Sequence, residues 1–219
     1  MKEKVQAHWN LKFDVEQKQG AKEQFQSQVD YIQSLARGRK IVLLGSSHTE
    51  DEVYLFKALD DISQETLSEY LFVIVPRYPN RKSHVVSLAS DFDKKVVFLS
   101  DLMKSGKKID NDSILVVDSF GILKTLYAIG DICLVGGSFS HLGGHNPIEP
   151  AIESKAVFMG PSDFSFAEVV QIFKENNCLF TLPSSPVEFI SFLKQFSPQD
   201  LKSAGERAND IVQSVKGSG

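Results

Sequence analysis

The amino-acid sequence predicts an α/β protein with a single Rossmann-like, doubly wound parallel sheet, and two observations lead to this class. The first is a series of seven short apolar runs rich in valine, isoleucine and leucine, each followed by turn residues. Continuous apolar runs are typical of strands that are covered on both faces. The second is the alternation of most of these runs with helix-compatible stretches, which favours parallel strands joined by right-handed crossovers.

The elements are expected in regular order along the chain. A helix is predicted over Gln17–Ala36 from its apolar spacing, with Gly38 as the stop. The predicted strands are Lys40–Leu44, Leu71–Val75, Lys95–Leu99, Ser113–Val117, Asp131–Val135, Lys155–Met159 and Cys178–Leu182. The other predicted helices are Asp51–Leu59, Gly121–Ile129, Pro147–Glu153, Phe166–Asn176, Pro186–Gln195 and Pro198–Val215. Because no repeat or linker divides the sequence, one domain is expected over residues 1–219.

Composition excludes several functional classes. With 24 basic and 28 acidic residues the net charge is −4, which gives no basic surface for binding nucleic acid. No apolar run approaches the roughly 18–20 residues of a membrane span, and no signal peptide is recognisable, so a soluble cytoplasmic chain is expected. Cys133 and Cys178 lie in apolar contexts without CxxC spacing, which favours buried reduced thiols over a disulfide or metal site. Neither a metal nor a cofactor is predicted.

The candidate site residues lie in loops, because an open parallel sheet binds ligands beyond the carboxyl ends of its strands. The strongest loop, residues 136–150, holds two glycine pairs ahead of a predicted helix. Asn146 is its expected N-cap, and Glu149 stands at capping-box spacing. Capping alone does not explain why Gly143, Gly144 and His145 crowd the same loop, so an anion-binding function is favoured here.

Two loops after the first two strands offer polar side chains. Ser46, Ser47 and His48 are expected at the crevice, although Thr49 and Glu52 have the spacing of a capping box. For His48, anion binding and a solvated loop position remain equally supported. Arg77 directly follows a strand, where its guanidinium suits a carboxylate or phosphate; the alternative is a surface ion pair. Arg81 is expected to be a plain surface residue.

Two weaker signals complete the candidates. In Asp118–Leu123, Ser119 is predicted to cap the next helix and Gly121 to leave first-turn N–H groups accessible. Lys12 lies beside Phe13 near the amino terminus, and its spacing does not say whether it faces a ligand. The motifs of dinucleotide dehydrogenases, P-loop NTPases, elbow-type serine hydrolases and zincins are all missing from the sequence.

Several of these loops resemble one known family. Gly136–Phe139 together with Gly143–Ala151 is similar to the signature of the 3-deoxy-D-manno-octulosonic acid (Kdo) transferases. Further family motifs are matched in the same order along the chain by Asn10–Asp14, Gly45–His48, Val75–Arg77, Asp118–Leu123 and Gly160–Pro161. The resemblance implies the C-terminal, donor-binding half of a two-domain GT-B glycosyltransferase. The N-terminal acceptor domain, with the catalytic base and the membrane-associating segment, would then be absent from this chain.

The resemblance also implies roles for individual residues. Arg77 would bind the donor, the backbone of the loop at Ser119 would hold the CMP phosphate, and Glu149 would contact the ribose diol. The implied donor-binding residues are Pro76, Arg77, Ser119, Phe120, Gly121, Ile122, Leu123, Asn146 and Glu149, and the further candidates are Lys12, Ser47, His48, Gly143, Gly144 and His145. Tyr78 and Ser162 depart from the family, which more often has histidine at both positions.

The function implied by the resemblance is transfer of Kdo from CMP-Kdo to a lipid A precursor in lipopolysaccharide biosynthesis, at the cytoplasmic face of the inner membrane. The reaction would invert configuration without metal or cofactor. The expected partners are CMP-Kdo or CMP and, for the intact enzyme, the lipid A precursor; membrane contact would come only through the absent domain. This chain alone is expected to be inactive. Two alternatives stay open, the donor domain of a GT-B enzyme that uses a UDP-sugar and a non-catalytic nucleotide-binding module.

Overall fold

A seven-stranded parallel sheet forms the centre of the molecule in the computed structural model, which describes residues 20–60 and 62–216. The strands are β1 (Lys40–Ser47), β2 (Tyr70–Pro76), β3 (Lys95–Phe98), β4 (Ser113–Val116), β5 (Ile132–Val135), β6 (Val157–Met159) and β7 (Leu179–Thr181). Their order across the sheet is β3-β4-β2-β1-β5-β6-β7, and every neighbouring pair is parallel. All seven predicted strands and the doubly wound α/β class are therefore confirmed.

Helices connect the strands and cover both faces of the sheet. The α-helices are α1 (Gly20–Ala36), α2 (Thr49–Ala58), α3 (Gln64–Ser68), α4 (Lys82–Asp91), α5 (Leu99–Ser105), α6 (Leu123–Tyr127), α7 (Ile148–Ile152), α8 (Ala167–Glu175), α9 (Phe189–Leu193) and α10 (Pro198–Lys216). Short 3₁₀ turns at Phe164–Phe166 and Pro186–Glu188 precede α8 and α9. The beginning of the first predicted helix (17–19) and the motif that contains Lys12 lie outside the described residues.

The core consists of two apolar layers, one on each face of the sheet. Along β2 the side chains alternate, so Leu71 and Val73 join one layer while Phe72 and Ile74 join the other. Burying each such side chain stabilises the fold by roughly 1.5–3 kcal/mol. Cys133 and Cys178 are buried and free, as predicted.

The membrane prediction can be examined only for the helices that the structure describes. Within residues 20–60 and 62–216, none of these helices combines the length and apolarity that crossing a bilayer demands.

Candidate functional site

A crevice of about 160 Å³ opens at the carboxyl ends of the central strands, where a parallel sheet is expected to bind its ligand. We call it the strand-end crevice. Its lining residues come from the ends of β1 and β2, the loops after β2 and β4, and the first turns of α6 and α7, and they are Ser46, Val75, Pro76, Arg77, Pro79, Ser119, Phe120, Gly121, Leu123, Lys124 and Glu149. Arg77 and Glu149, which are 72 positions apart in sequence, therefore share one pocket.

Arg77 is held at the crevice by the pairing of β2 with β1. The backbone N–H of Arg77 donates to the carbonyl of Ser47 at 3.0 Å, and this bond continues the parallel pairing beyond Pro76. The register shifts between Gly45 and Ser47, and Ser46 between them has φ of 54°. This irregularity at the end of β1 places Ser46 in the lining of the crevice.

The loop after β4 is anchored through Asp118. Its carboxylate accepts hydrogen bonds from the backbone N–H (3.1 Å) and the hydroxyl (2.6 Å) of Ser100 at the start of α5, and it forms an ion pair with Lys82 of α4. Burial alone would raise the pKa of Asp118, but these hydrogen bonds from Lys82 and Ser100 leave it below its usual range. The charged anchor fixes the point at which the loop enters the crevice.

Ser119 does not cap the next helix, contrary to the sequence prediction. Helix α6 begins at Leu123 and has Ile122 at its N-cap position without a side-chain cap, so Ser119 lies too far before it. Gly121 adopts a φ of 84°, which favours glycine, and turns the chain over Phe25. In the described part of the chain, no acceptor hydrogen-bonds the N–H groups of residues 120–122. Ile122 itself is buried in the core and does not line the crevice.

Glu149 presents its carboxylate to the crevice. Burial raises the pKa of Glu149, and the nearby cations Lys124 and Arg77 oppose this rise. Asn146 was predicted as the N-cap of α7, but Pro147 occupies that position and Asn146 lies one residue before it; its side-chain oxygen still accepts the N–H of Ile148, the first residue of the helix, at 3.0 Å. Among the described residues Glu149 makes no returning bond to Asn146, so its capping-box spacing is not used and the carboxylate stays available to a ligand.

The glycine pair Gly143 and Gly144 serves the turn itself and is not part of the crevice lining. Both have φ near 80°, and an added Cβ would lie 2.7 Å from the Phe164 ring or 2.4 Å from the Met159 methyl group. The N–H of Gly144 donates to the carbonyl of Gly137 at 2.9 Å. The N–H groups of Gly144 and His145 are thus bonded within the loop, the latter to the carbonyl of Gly136, and are not free to bind an anion.

His48 and His145 form a contact that joins the loops after β1 and β5. Their Nε2 atoms are 2.8 Å apart, and their ring planes are nearly parallel at 17°. Arg77 is close enough to both rings to oppose their protonation electrostatically. The edge of the Tyr78 ring faces His48 at 6.0 Å between ring centroids.

Asp51 explains why the two histidine-bearing loops meet. Its buried carboxylate accepts the N–H of His48 (2.9 Å) from one loop and those of Gly137 (2.7 Å) and Phe139 (3.1 Å) from the other. Burial raises the pKa of Asp51, and these hydrogen bonds oppose the rise. The capping pair predicted for α2 was therefore out of register: His48 stands at the N-cap with Asp51 three residues later, and Thr49 begins the helix.

The sequence predictions for Ser47 and Arg81 both need correction, because each side chain bonds the buried carboxylate of Glu52. Ser47 is fully buried and its hydroxyl donates to Glu52 at 2.8 Å, so it does not face a ligand. Arg81 was expected at the surface, but its side chain is only 19% exposed and bonds Glu52 at 3.2–3.3 Å and the Thr49 hydroxyl at 2.9 Å. Burial raises the pKa of Glu52, and Arg81 and Ser47 oppose this rise.

One lining residue that carries chemistry, Lys124, was not among the residues singled out from the sequence. Lys124 lies in the first turn of α6, directly after the loop that contains Ser119. A lysine at this position next to a predicted phosphate-binding loop could have been identified from the sequence. Ser46 was expected at the crevice but not chosen as a candidate. No group of three or more histidine, cysteine, aspartate or glutamate side chains among residues 20–60 and 62–216 is placed to hold a metal ion.

Comparison with known proteins gives several relatives that are named as transferases, although no family model matches the chain. It is 34% identical over 147 residues to the 3-deoxy-D-manno-octulosonic acid transferase of Aquifex aeolicus, which covers 65% of this chain and 39% of that protein. The transferase of the same name from Haemophilus influenzae is 29% identical, with coverage of 80% and 39%. A bifunctional glycosyltransferase/methyltransferase of Fusobacterium nucleatum is 34% identical, with coverage of 73% and 24%. The chain thus spans less than half the length of these curated relatives.

Solved structures share the fold. The C-terminal CMP-Kdo binding domain of WaaA from Acinetobacter baumannii superposes with a TM-score of 0.66 at 22% identity, over 87% of this chain and 98% of that one. A trehalose-phosphate synthase (UDP-forming) from Burkholderia vietnamiensis gives a TM-score of 0.57 at 11% identity, over 90% of this chain and 44% of that one. These comparisons confirm the resemblance to Kdo transferases and the fold class, a Rossmann-like sheet as in the C-terminal half of a GT-B glycosyltransferase.

Proposed function

We propose that this chain is the donor-binding domain of a Kdo transferase and that the strand-end crevice binds the nucleotide of CMP-Kdo. One observation carries the proposal: Arg77, Glu149 and four residues of the loop after β4 (119–121 and 123) line a single pocket although they come from three separate parts of the sequence. The curated relatives named as Kdo transferases and the related CMP-Kdo binding domain support the choice of ligand.

Each side of the crevice suits one part of a cytidine nucleotide. Arg77 and Lys124 supply cations for the phosphate, and a guanidinium offers two parallel donors to such an oxyanion. The N–H groups of residues 120–122, which no acceptor in the described chain occupies, add neutral donors. Glu149 lines the same pocket, and a carboxylate can accept hydrogen bonds from both hydroxyls of a ribose.

The chemistry that follows from this proposal needs a second domain. An acceptor hydroxyl of the lipid A precursor would attack the anomeric carbon, CMP would leave, and configuration would invert. Arg77 and Lys124 can balance the charge of the departing phosphate without a divalent ion. The base, the acceptor groove and the membrane contact would come from a separate N-terminal domain, with residues 1–219 as the donor domain. Without those groups the chain should bind its donor but transfer nothing.

Calorimetry of nucleotide binding tests the proposal. The chain of residues 1–219 should bind CMP more tightly than UMP or UDP, and Arg77→Gln should weaken CMP binding by roughly 10–100-fold because a charged hydrogen-bond pair contributes about 1.5–3 kcal/mol. Arg37→Gln is the matched control, since Arg37 is an exposed arginine that precedes β1 at the opposite end of the sheet. Preference for UDP would indicate a UDP-sugar enzyme, and no binding of any of the three nucleotides would overturn the proposal.

A further inference from the structure

Three neighbouring strands each end near a basic side chain, and these side chains form a row beside the strand-end crevice. β1 lies between β2 and β5 in the sheet. Arg77 follows β2, His48 follows β1, and His145 lies in the loop after β5 with its N–H bound to the carbonyl of Gly136 at 2.9 Å. Neither His48 nor His145 is among the residues that line the strand-end crevice, so the nucleotide contacts proposed above leave both rings unused.

The contact between the two histidines limits the pair to one positive charge. With Nε2 atoms 2.8 Å apart, one ring must donate its proton and the other must accept it. The donating ring then has an unprotonated Nδ1, and a single solvent proton can add there without removing the shared proton between the two Nε2 atoms. A second proton would place N–H groups on both facing Nε2 atoms, and the short separation opposes this.

We propose that His48 and His145 form a proton-sharing pair that binds an anionic oxygen of the donor next to Arg77, and that donor binding takes up one proton from solvent. This inference rests on the proposed function. The anionic oxygen belongs either to the phosphodiester or to the carboxylate of the sugar, and both present the same chemistry to an imidazolium. The pair would then act as a cation that exists chiefly when the ligand is bound.

The surroundings keep the pair neutral while the site is empty. Burial lowers the pKa of His145 to about 4, with His48 and Arg77 adding repulsion. Burial also lowers the pKa of His48; Asp51 and Glu50 raise it, and Arg81 and Arg77 lower it further. A bound anion opposes the repulsion by Arg77 and therefore raises the pKa of the pair. Proton uptake is then largest at a pH between the free and bound pKa values and vanishes above both.

Calorimetry in paired buffers of different ionisation enthalpy measures this uptake directly. The probe is the methyl phosphodiester of CMP, because the second ionisation of a phosphate monoester near pH 6 would itself release or take up protons. We expect uptake of roughly half to one proton near pH 6 and almost none near pH 8, with affinity rising about tenfold between pH 8 and pH 6. CMP-Kdo forms the second arm: equal uptake assigns the proton to the phosphodiester, and uptake with CMP-Kdo alone assigns it to the carboxylate.

Histidine variants show where the proton goes. His145→Gln and, separately, His48→Gln should abolish the uptake and flatten the pH dependence, and two variants protect the test if one fails to fold. His141→Gln is the matched control, because His141 is exposed and lies in the same loop. Binding of both probes without proton uptake would overturn this inference and leave the proposed function standing. Failure of both probes to bind at any pH would overturn the two together.

Discussion

Glu149 is the residue whose local role differs most from its sequence pattern. Its spacing from Asn146 is that of a capping box, yet Pro147 is the N-cap of α7, Asn146 alone bonds the first N–H of the helix, and Glu149 lines the crevice. A glutamate in the first turn of a helix can accept a hydrogen bond from the backbone N–H of the residue before the helix, or it can point away from the helix. Sequence spacing does not distinguish these two conformations. The deciding influence is tertiary, namely the cations Arg77 and Lys124 brought in from other loops.

A ribose contact by Glu149 predicts a specific loss of discrimination. Glu149→Gln should weaken CMP binding about tenfold and should bind CMP and 2′-deoxy-CMP nearly equally, whereas the unmodified chain should prefer CMP. Because burial raises the pKa of Glu149, removing its charge should leave the melting temperature unchanged or slightly higher.

Calorimetry with both nucleotides and a thermal melt measure these effects. Glu168→Gln, an exposed glutamate outside the crevice lining, is the control. A variant that loses stability while keeping both affinities would make Glu149 a structural residue and remove it from the binding site.

The ion pair of Glu52 and Arg81 predicts a loss of stability on removal of a charge, in contrast to the effect expected for Glu149→Gln. Arg81→Ala should destabilise the fold by about 3–5 kcal/mol, because it leaves the carboxylate of Glu52 buried without its cation. Adding Glu52→Gln should recover part of this loss, since a neutral amide still accepts the Ser47 hydroxyl bond. Urea unfolding of the two single variants and the double variant measures the coupling. Strict additivity would contradict the description of Glu52 and Arg81 as a dependent pair.

Among the elements, the strands were predictable and three helices were not. The five central strands are continuous apolar runs because both faces are buried, and this pattern needs no tertiary information. Helix α4 buries only two residues and α3 buries none, so neither carries a strong apolar period. Helix α5 begins at Leu99, directly after β3, and its first apolar residue was taken as the end of the strand.

Loop register was the other feature that the sequence left open. Both Thr49 with Glu52 and His48 with Asp51 have the spacing of a capping pair, and only the structure decides between them. Asp51 is also bonded by Gly137 and Phe139 from a loop about 86 residues away. Local sequence patterns carry no information about such long-range partners. The sequence can therefore indicate that a polar residue lies near a binding loop without showing which hydrogen bonds it makes.

Helix α10 depends on one close approach to the rest of the molecule. A Cβ at Gly205 would lie 1.9 Å from the carbonyl oxygen of Ser154, which follows α7. Alanine normally stabilises a helix by about 0.5–1 kcal/mol over glycine, but here Gly205→Ala should cost roughly 1–3 kcal/mol because the helix must move away. Glu206→Ala, one residue further and exposed, should change stability by less than about 0.5 kcal/mol. Thermal melts compare them, and a more stable Gly205→Ala would contradict this packing.

In the molecule as a whole, the groups suited to binding a nucleotide lie together at the carboxyl ends of the parallel strands. The net charge is −4, yet Arg77 and Lys124 give the strand-end crevice a local positive character suited to a phosphate. A larger cavity of about 310 Å³ lies at the opposite end, lined by Lys40, Lys155 and Lys202 with Asp131. Because it lies at the amino ends of the strands, the architecture favours the smaller crevice as the nucleotide site.

A crystal structure of the chain soaked with CMP would show whether the strand-end crevice is the nucleotide site. We expect the phosphate within about 3 Å of the Arg77 guanidinium and of an N–H group from residues 120–122, with the ribose hydroxyls at the Glu149 carboxylate. Density for CMP in the lysine-lined cavity at the opposite end of the sheet, with the strand-end crevice free of ligand, would contradict this expectation.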